Sequence, residues 1–151
     1  MATSIVQIVN NALVKIGANS ITSLTEDSEA ARAANVIFEQ VRDATLRDHV
    51  WNFAIKRVQL AQDTAAPAYE YAFQYSLPSD CLRLLQMEEK TMVYTIEGRK
   101  LLTDEGTAKV KYLAVITDPN EFDAMFVEAL SARLAAELAV TLAESNTLYQ
   151  N

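Results

Sequence analysis

The sequence is poor in the residues that form disulfides, metal centres and loops. Its 151 residues include one cysteine, one histidine, three glycines and three prolines. A single cysteine excludes a disulfide within the chain. One cysteine and one histidine together are too few ligands for a zinc site made of these residue types. The few glycines and prolines indicate a largely regular backbone. This cysteine usage fits an intracellular folding compartment.

An excess of basic residues and long apolar runs are also missing. The net charge is -7 and the isoelectric point about 4.7, which argues against a protein whose main task is to grip nucleic-acid phosphates. The N-terminus lacks the features of a signal peptide, and no apolar run reaches the length of a membrane span, so we expect no membrane partner. The length and the 50% hydrophobic content predict one globular domain.

The first third of the chain predicts two helices. Apolar residues recur at helical spacing over residues 4–16, with Ser4 as the N-cap and Gly17 as the left-handed stop. A second helix is predicted over residues 26–48, where small and apolar residues share one face. Because the connection between them is short, the two helices are expected to be antiparallel or nearly so.

The second helix is the element around which we expect the rest of the chain to pack. Two starts are open: a capping box formed by Ser23 with Glu26, or Thr25 as the cap. The sole tryptophan, Trp51, follows the helix end together with Phe53. A tryptophan has a large apolar area, so we predict that Trp51 and Phe53 are a structural anchor for this helix end.

A third helix is predicted near the C-terminus. Asp118 suits the N-cap, Pro119 the first helical position and Glu121 the end of a capping box, and the helix should run to about Ser145. Its surface is apolar or small almost all round, which indicates contacts on more than one side. In a chain this short, one of those sides could belong to another subunit.

The middle of the chain predicts strands. The predicted strands are residues 55–60 (strand or frayed extension), 69–77, 81–87, 92–97, 100–103 and 107–116. The fold class is therefore α+β: an antiparallel bundle of about three main helices with an inserted small antiparallel β-sheet or hairpin region. The whole chain, residues 1–151, is predicted to be one domain, helical over 1–54 and 118–151 with the insertion at about 55–117.

Few residues suggest chemistry. His49 is best explained as a residue at a helix end, and Cys81 as a buried small hydrophobe. The carboxylates lie in solvated runs, and no phosphate-binding loop or hydrolase motif occurs. We therefore predict no catalytic, cofactor-binding or metal residues and no cofactor.

Two features could make contacts with partners. Aromatic residues alternate over residues 69–75, and we favour a packed sheet face over a base-stacking surface because no Lys or Arg lies between them. Arg99 and Lys100 form a basic turn at the predicted hairpin tip. This turn is either a solvated tip or a contact with another protein or nucleic acid.

Nearly the whole chain resembles the head-to-tail connector (adaptor) proteins of bacteriophages, most closely the tail tubular protein A type of short-tailed phages. The resemblance depends on segments that mark turns and the ends of helices and strands, and not on a catalytic signature. It lies in the segments ITSL (21–24), VRDATLR (41–47), HVWNFA (49–54), YSLPSDCLR (75–83), EGR (97–99) and LTD (102–104), and in the alanine-rich last helix.

The resemblance implies a structural virion protein, not an enzyme. Such proteins form a homo-oligomeric ring, usually of twelve subunits, which docks on the portal protein, extends the channel for double-stranded DNA and provides a platform for a tail nozzle or tube protein. It implies a place in the virion neck or tail, assembly in the host cytoplasm, and a part in genome retention and ejection. Relatives tend to continue past the last helix, whereas this chain ends at Asn151, so the sequence leaves a docking arm unassigned.

Two alternatives come from other classes. One is a small DNA-binding regulatory or packaging protein that uses the first two helices, which would bind duplex DNA in a salt-dependent way. The other, which we favour least, is an enzyme that uses His49 or clustered carboxylates.

Overall fold

Helices and strands occupy different parts of the chain. A computed structural model describes the backbone of residues 3–150 and the side chains of residues 3–143; Asn151 lies outside the described residues. Unit 1 comprises Met1–His49 and Ile116–Asn151, and unit 2 comprises Val50–Val115. The described backbone contains the elements α1 (Ile5–Lys15), α2 (Glu29–Asp48), β1 (Ile55–Leu60), β2 (Phe73–Ser76), β3 (Cys81–Met87), β4 (Tyr94–Glu97), β5 (Lys100–Thr103), β6 (Ala108–Ala114) and α3 (Ala124–Gln150).

Helix α1 begins and ends as its sequence predicts. The Ser4 Oγ accepts the Gln7 amide at 3.1 Å. Gly17 follows the helix with a φ of +71°, and the Ala18 amide donates to the Leu13 carbonyl at 2.9 Å across it. A residue in the left-handed region closes a helix in this way, and glycine adopts that region without a steric penalty. The predicted cap and stop of α1 are therefore confirmed.

Helix α2 begins later than predicted. Ser28 is its N-cap, and the Ser28 Oγ accepts an amide of the first turn at 3.2 Å. The caps predicted within residues 23–26 are wrong, because α2 begins only at Glu29. The Glu26 Oε1 accepts the amides of Thr22 and Ser23, at 2.7 and 3.3 Å, in the turn before the helix. The bond from the Thr22 amide is the largest cause of a lowered pKa at Glu26. The capping-box residues thus order the turn before the helix rather than the helix itself.

Helix α3 also begins later than predicted. Asp118 caps a 3₁₀ turn, Pro119–Glu121, instead of the α-helix. The Asp123 Oδ2 accepts an amide of the first turn of α3 at 2.9 Å, and α3 continues to Gln150. Proline suits the first turn of either helix type. The cap was therefore predicted correctly, but the turn that follows it is a 3₁₀ turn and not the start of the α-helix.

Unit 1 is built on α3, against which both α1 and α2 pack. The predicted contact of α3 on more than one side is confirmed within the chain. The buried apolar side chains of the three helices are Ile8, Val9, Ala12 and Leu13 of α1, Ala31, Ala34, Phe38 and Leu46 of α2, and Phe126, Leu130, Leu134, Ala135 and Leu138 of α3. None of the helices in the described part of the chain is long and apolar enough to span a membrane.

Unit 2 contains two antiparallel sheets, with strand orders β1-β6-β3 and β2-β5-β4. The predicted class, a helical bundle with a small inserted sheet or hairpin, is wrong. The fold is mixed α+β, with three helices and two three-stranded sheets. The middle strands do not form one small sheet. Each sheet has buried residues of its own: Leu60, Met87, Val110 and Leu113 in the first, and Tyr75, Leu101 and Leu102 in the second.

The aromatic alternation over residues 69–77 gives a shorter strand than predicted. Only Phe73–Ser76 pairs, with β5 as its neighbour. Glu70 has a φ of +78°, which breaks the extended backbone ahead of the strand. Tyr69 is consequently 81% exposed, whereas Tyr75 is 1% exposed. The alternation therefore marks a packed face only where the strand has a partner.

Candidate interaction surfaces

The tip between β4 and β5 is the tight turn that the sequence predicts. Glu97 pairs with Lys100 across it, which leaves Gly98 and Arg99 as the two turn residues. Gly98 has a φ of +61° and Arg99 does not have a positive φ, the pattern of a type II′ turn. The turn bonds back into its own unit, since the Arg99 carbonyl accepts the Leu77 amide at 3.0 Å.

The Arg99 side chain turns back onto the chain. Its guanidinium donates to the backbone carbonyls of Pro78 and Cys81, the latter at 3.0 Å. Charge-assisted bonds to carbonyls are stronger than bonds between neutral groups. Arg99 therefore ties the turn of one sheet to the first residue of β3 in the other.

Lys100 is held by a carboxylate. Its Nζ lies 2.8 Å from the Asp63 Oδ2 and 2.6 Å from the Ser76 Oγ. Asp63 also accepts bonds from Gln74 and Ser76, at 2.9 and 2.8 Å. The bond from Lys100 is the largest cause of a pKa near 2 at Asp63, below its ordinary 3.8. Both predicted contact residues thus have bonding partners inside unit 2.

Trp51 and Phe53 flank the start of a 3₁₀ turn, Asn52–Ala54. Their ring centroids are 6.2 Å apart, and both side chains are half-buried. The Trp51 carbonyl accepts the Ala54 amide at 3.0 Å. His49, at the C-cap of α2, is exposed.

A basic face that the sequence analysis missed lies on the sheet β1-β6-β3. We define the basic face as Arg57, Gln59, Gln86, Lys109 and Lys111. Across the β1–β6 pairing, Arg57 lies directly opposite Lys111 and Gln59 opposite Lys109. Across the β3–β6 pairing, Gln86 lies opposite Lys111. Residues opposite or two apart share one face of a sheet, so these five point the same way.

The basic face borders an open groove of about 600 Å³, with Glu88 and Lys90 at its rim. Glu88 pairs with Lys109 at 3.7 Å. Within residues 3–143, neither Arg57 nor Lys111 forms an ion pair. Like charges directly opposite each other destabilise a sheet, so the pair Arg57 and Lys111 adds nothing to folding.

On the opposite side of the same sheet, the charged groups have partners. Lys56, one residue before Arg57, lies 3.1 Å from the Asp80 Oδ2, and the Tyr112 hydroxyl donates to the Asp80 Oδ1 at 3.0 Å. Burial raises the pKa of Asp80, but these two bonds outweigh it and hold the pKa below its usual value. Burial and then Asp80 raise the pKa of Tyr112 to about 12.

Charge is divided unevenly between the units. Unit 1 carries twelve acidic and five basic residues, whereas unit 2 carries eight of each. The net charge of -7 therefore belongs to unit 1. Among the described residues, no group of three His, Cys, Asp or Glu side chains is placed to hold a metal ion. Cys81 is buried, as predicted.

The described part of the chain has three helices and two three-stranded sheets. A family model described as "tail tubular protein" matches residues 6–115, which covers α1, α2 and unit 2. The chain belongs to the tail tubular protein family and is a structural component of a phage tail. This membership supports the expected non-enzymatic role. A comparison with curated proteins gave no match.

The sequence did contain a signal for the basic face. Residues 108–112 alternate between buried and more accessible positions, with Val110 and Tyr112 on the buried face. Lys109 and Lys111 must then lie on the other face. The pairing of that face with Arg57 was not readable, because it depends on register between strands about fifty residues apart.

Proposed function

We propose that the protein is a head-to-tail connector: a ring of identical subunits that docks on the phage portal protein. In this proposal the ring extends the DNA channel, takes part in genome retention and ejection, and presents a platform to a tail nozzle or tube protein. The observation that carries the proposal is the tail tubular family match over residues 6–115. Assembly in the host cytoplasm and a ring of twelve subunits are parts of the same proposal.

The charge distribution supports a channel through which DNA passes. Unit 1 holds the whole net charge of -7, and an acidic lining repels phosphates. Duplex DNA would then slide past without sequence-specific binding.

The first experiment is to measure the mass of the assembly by native mass spectrometry, with the chain alone and with the portal protein encoded beside it. We expect a discrete ring on the portal, whose mass gives the subunit number. A chain that stays monomeric beside the portal would overturn the proposal.

We also propose that the β4–β5 hairpin, with Arg99 and Lys100, contacts a virion partner. Because both side chains bond within unit 2, reversing their charges would disturb the turn as well as a contact. Arg99→Gln keeps a donor, and Lys100→Arg keeps the charge beside Asp63. Weaker assembly by an Arg99→Gln protein with unchanged thermal unfolding supports the contact, with Lys100→Arg as the control. Unchanged assembly of Arg99→Gln removes the tip from the interface.

A DNA-binding role is the second candidate, and the basic face is the observation that favours it. A gel shift with duplex DNA at low salt tests this role. Retarded DNA that is released as salt rises would support DNA binding. Free DNA at every protein concentration would exclude it.

A further inference from the structure

We propose that the basic face binds the acidic segment of a second copy of this chain, so that unit 2 of one subunit contacts unit 1 of the next. We define the acidic segment as residues 118–123, which contain Asp118, Glu121 and Asp123. The inference deepens the ring of the proposed function and rests on it for its biological setting.

The basic face is incomplete in a single chain. Arg57 and Lys111 are directly opposite each other, and within residues 3–143 neither forms an ion pair. Lys56, on the other side of the same strand, does have an acid, Asp80. A cross-strand pair of cations becomes favourable only when an anion lies against both.

The groove beside the basic face is open, and both charged and apolar residues line it. It is about 600 Å³ in volume, and buried Met87 and Val110 line it together with the cations. Gln59 and Gln86 add amide donors to the same face. Such a surface suits carboxylate side chains carried on a short polypeptide segment, which need both donors and some apolar contact.

The acidic segment is the occupant that the charge distribution favours. Unit 1 holds the entire net charge, and within it Asp118, Glu121 and Asp123 are all exposed. Asp118 and Asp123 accept backbone amides of their own turns, but within residues 3–143 none of the three forms an ion pair. In the other acidic run of unit 1, residues 26–29, one carboxylate is already paired with an arginine at 2.6 Å.

Charge also disfavours DNA as the occupant. A chain of net charge -7 repels duplex DNA, which carries one negative charge per ~1.7 Å of helix axis. A second copy carries the same net charge, but that charge is unevenly distributed, so the acidic unit 1 of one copy attracts the basic face of another. Such a contact uses two different surfaces, the head-to-tail type that closes into rings.

The test uses two variants of the full chain. Arg57→Glu with Lys111→Glu reverses the basic face, and Asp118→Asn, Glu121→Lys and Asp123→Asn together remove the acidic segment. Asn is as good an N-cap as Asp, so the turns at positions 118 and 123 keep their bonds. Sedimentation velocity at low and high ionic strength measures self-association of each protein without the portal.

We expect the wild-type chain to self-associate at low salt, and each variant to associate about tenfold more weakly or not at all. Mixing the two variants restores a single contact and therefore a dimer, because one variant supplies an intact basic face and the other an intact acidic segment. Arg57→Lys with Lys111→Arg keeps the charges and should behave as wild type. Lys15→Glu with Arg32→Glu makes the same change in net charge at exposed surface pairs and should leave association unchanged.

Several outcomes would overturn the inference. They are a wild-type chain that stays monomeric at low salt and high concentration, variants that associate like wild type, and a mixture that does not recover. Duplex DNA binding that is lost in the Arg57→Glu, Lys111→Glu chain, with association unchanged, would assign the face to DNA instead. Because the portal is absent, a failure of portal docking is distinguishable from a failure of this contact.

Discussion

The helices of unit 1 and the sheets of unit 2 form through bonds over different distances along the chain, and the two units carry different charge. The ends of α1 and α2 are set by side chains three residues from their partners, such as Ser4 and Ser28. The sheets of unit 2 join distant residues, as when Ile55 pairs with Leu113. Unit 1 holds the net charge, whereas unit 2 is neutral in total but has its cations gathered on one face. A neutral total can therefore conceal a charged surface.

The largest expected effect tests whether the two units are separate in stability. Leu130→Ala in α3 and Leu101→Ala in β5 each remove a fully buried side chain, and each should lower the free energy of unfolding by about 3 kcal/mol. Hydrogen exchange measured on peptides should show faster exchange in unit 1 for the first variant and in unit 2 for the second.

The control is Val36→Ala, at a side chain that is 79% exposed, which should change stability by less than about 0.5 kcal/mol. If either leucine variant speeds exchange equally in both units, the chain unfolds as one cooperative body. The two units would then differ in topology and charge but not in stability.

A smaller effect is expected at the residues that follow α2. Trp51→Ala removes a half-buried ring that contacts Phe53, so we expect a loss of about 2 kcal/mol rather than the larger loss of a fully buried tryptophan. Urea unfolding measures it, with Trp51→Phe as the control that keeps an aromatic ring. A Trp51→Ala chain as stable as wild type would show that these rings are not a structural anchor.

The same substitution at the two glycines with positive φ, one in each unit, compares the units. Gly17→Ala in unit 1 and Gly98→Ala in unit 2 place a side chain at φ values of +71° and +61°, and each should cost about 1 kcal/mol. Gly106→Ala is the control, because Gly106 has no positive φ and open space around it. Thermal unfolding of the three variants gives the comparison. Equal midpoints for all three would mean that the turns relax around the new methyl group.

What the sequence could predict follows the same division. Helix α1, the strand Cys81–Met87 and the turn at Gly98 were predicted correctly, since each depends on local periodicity or on one residue's preferred φ. The cap at Asp118 was found, but competition between a 3₁₀ turn and an α-helix shifted the helix start. The arrangement into two sheets was missed, because pairing and register depend on residues far apart.

The candidate surfaces were predictable to a similar degree. Turn chemistry correctly placed Arg99 and Lys100 at a hairpin tip, but it gave no information on where their long side chains go. The carbonyls that bind Arg99 and the carboxylate that binds Lys100 come from other parts of unit 2. The basic face likewise required knowledge of which strand lies beside β6.

The smallest expected effect is a pH dependence confined to unit 2. Asp63 has a pKa of about 2 in the folded chain and an ordinary value of 3.8, so its bonds with Lys100, Gln74 and Ser76 favour folding fully above about pH 4. That contribution is lost as the pH falls from 4 through 2, because the unfolded chain takes up the proton first. Urea midpoints of wild type and Asp63→Asn should therefore differ at pH 6 and converge near pH 2. A difference that persists unchanged to pH 2 would mean that the Asp63 carboxylate is not the group that stabilises this corner of the sheet.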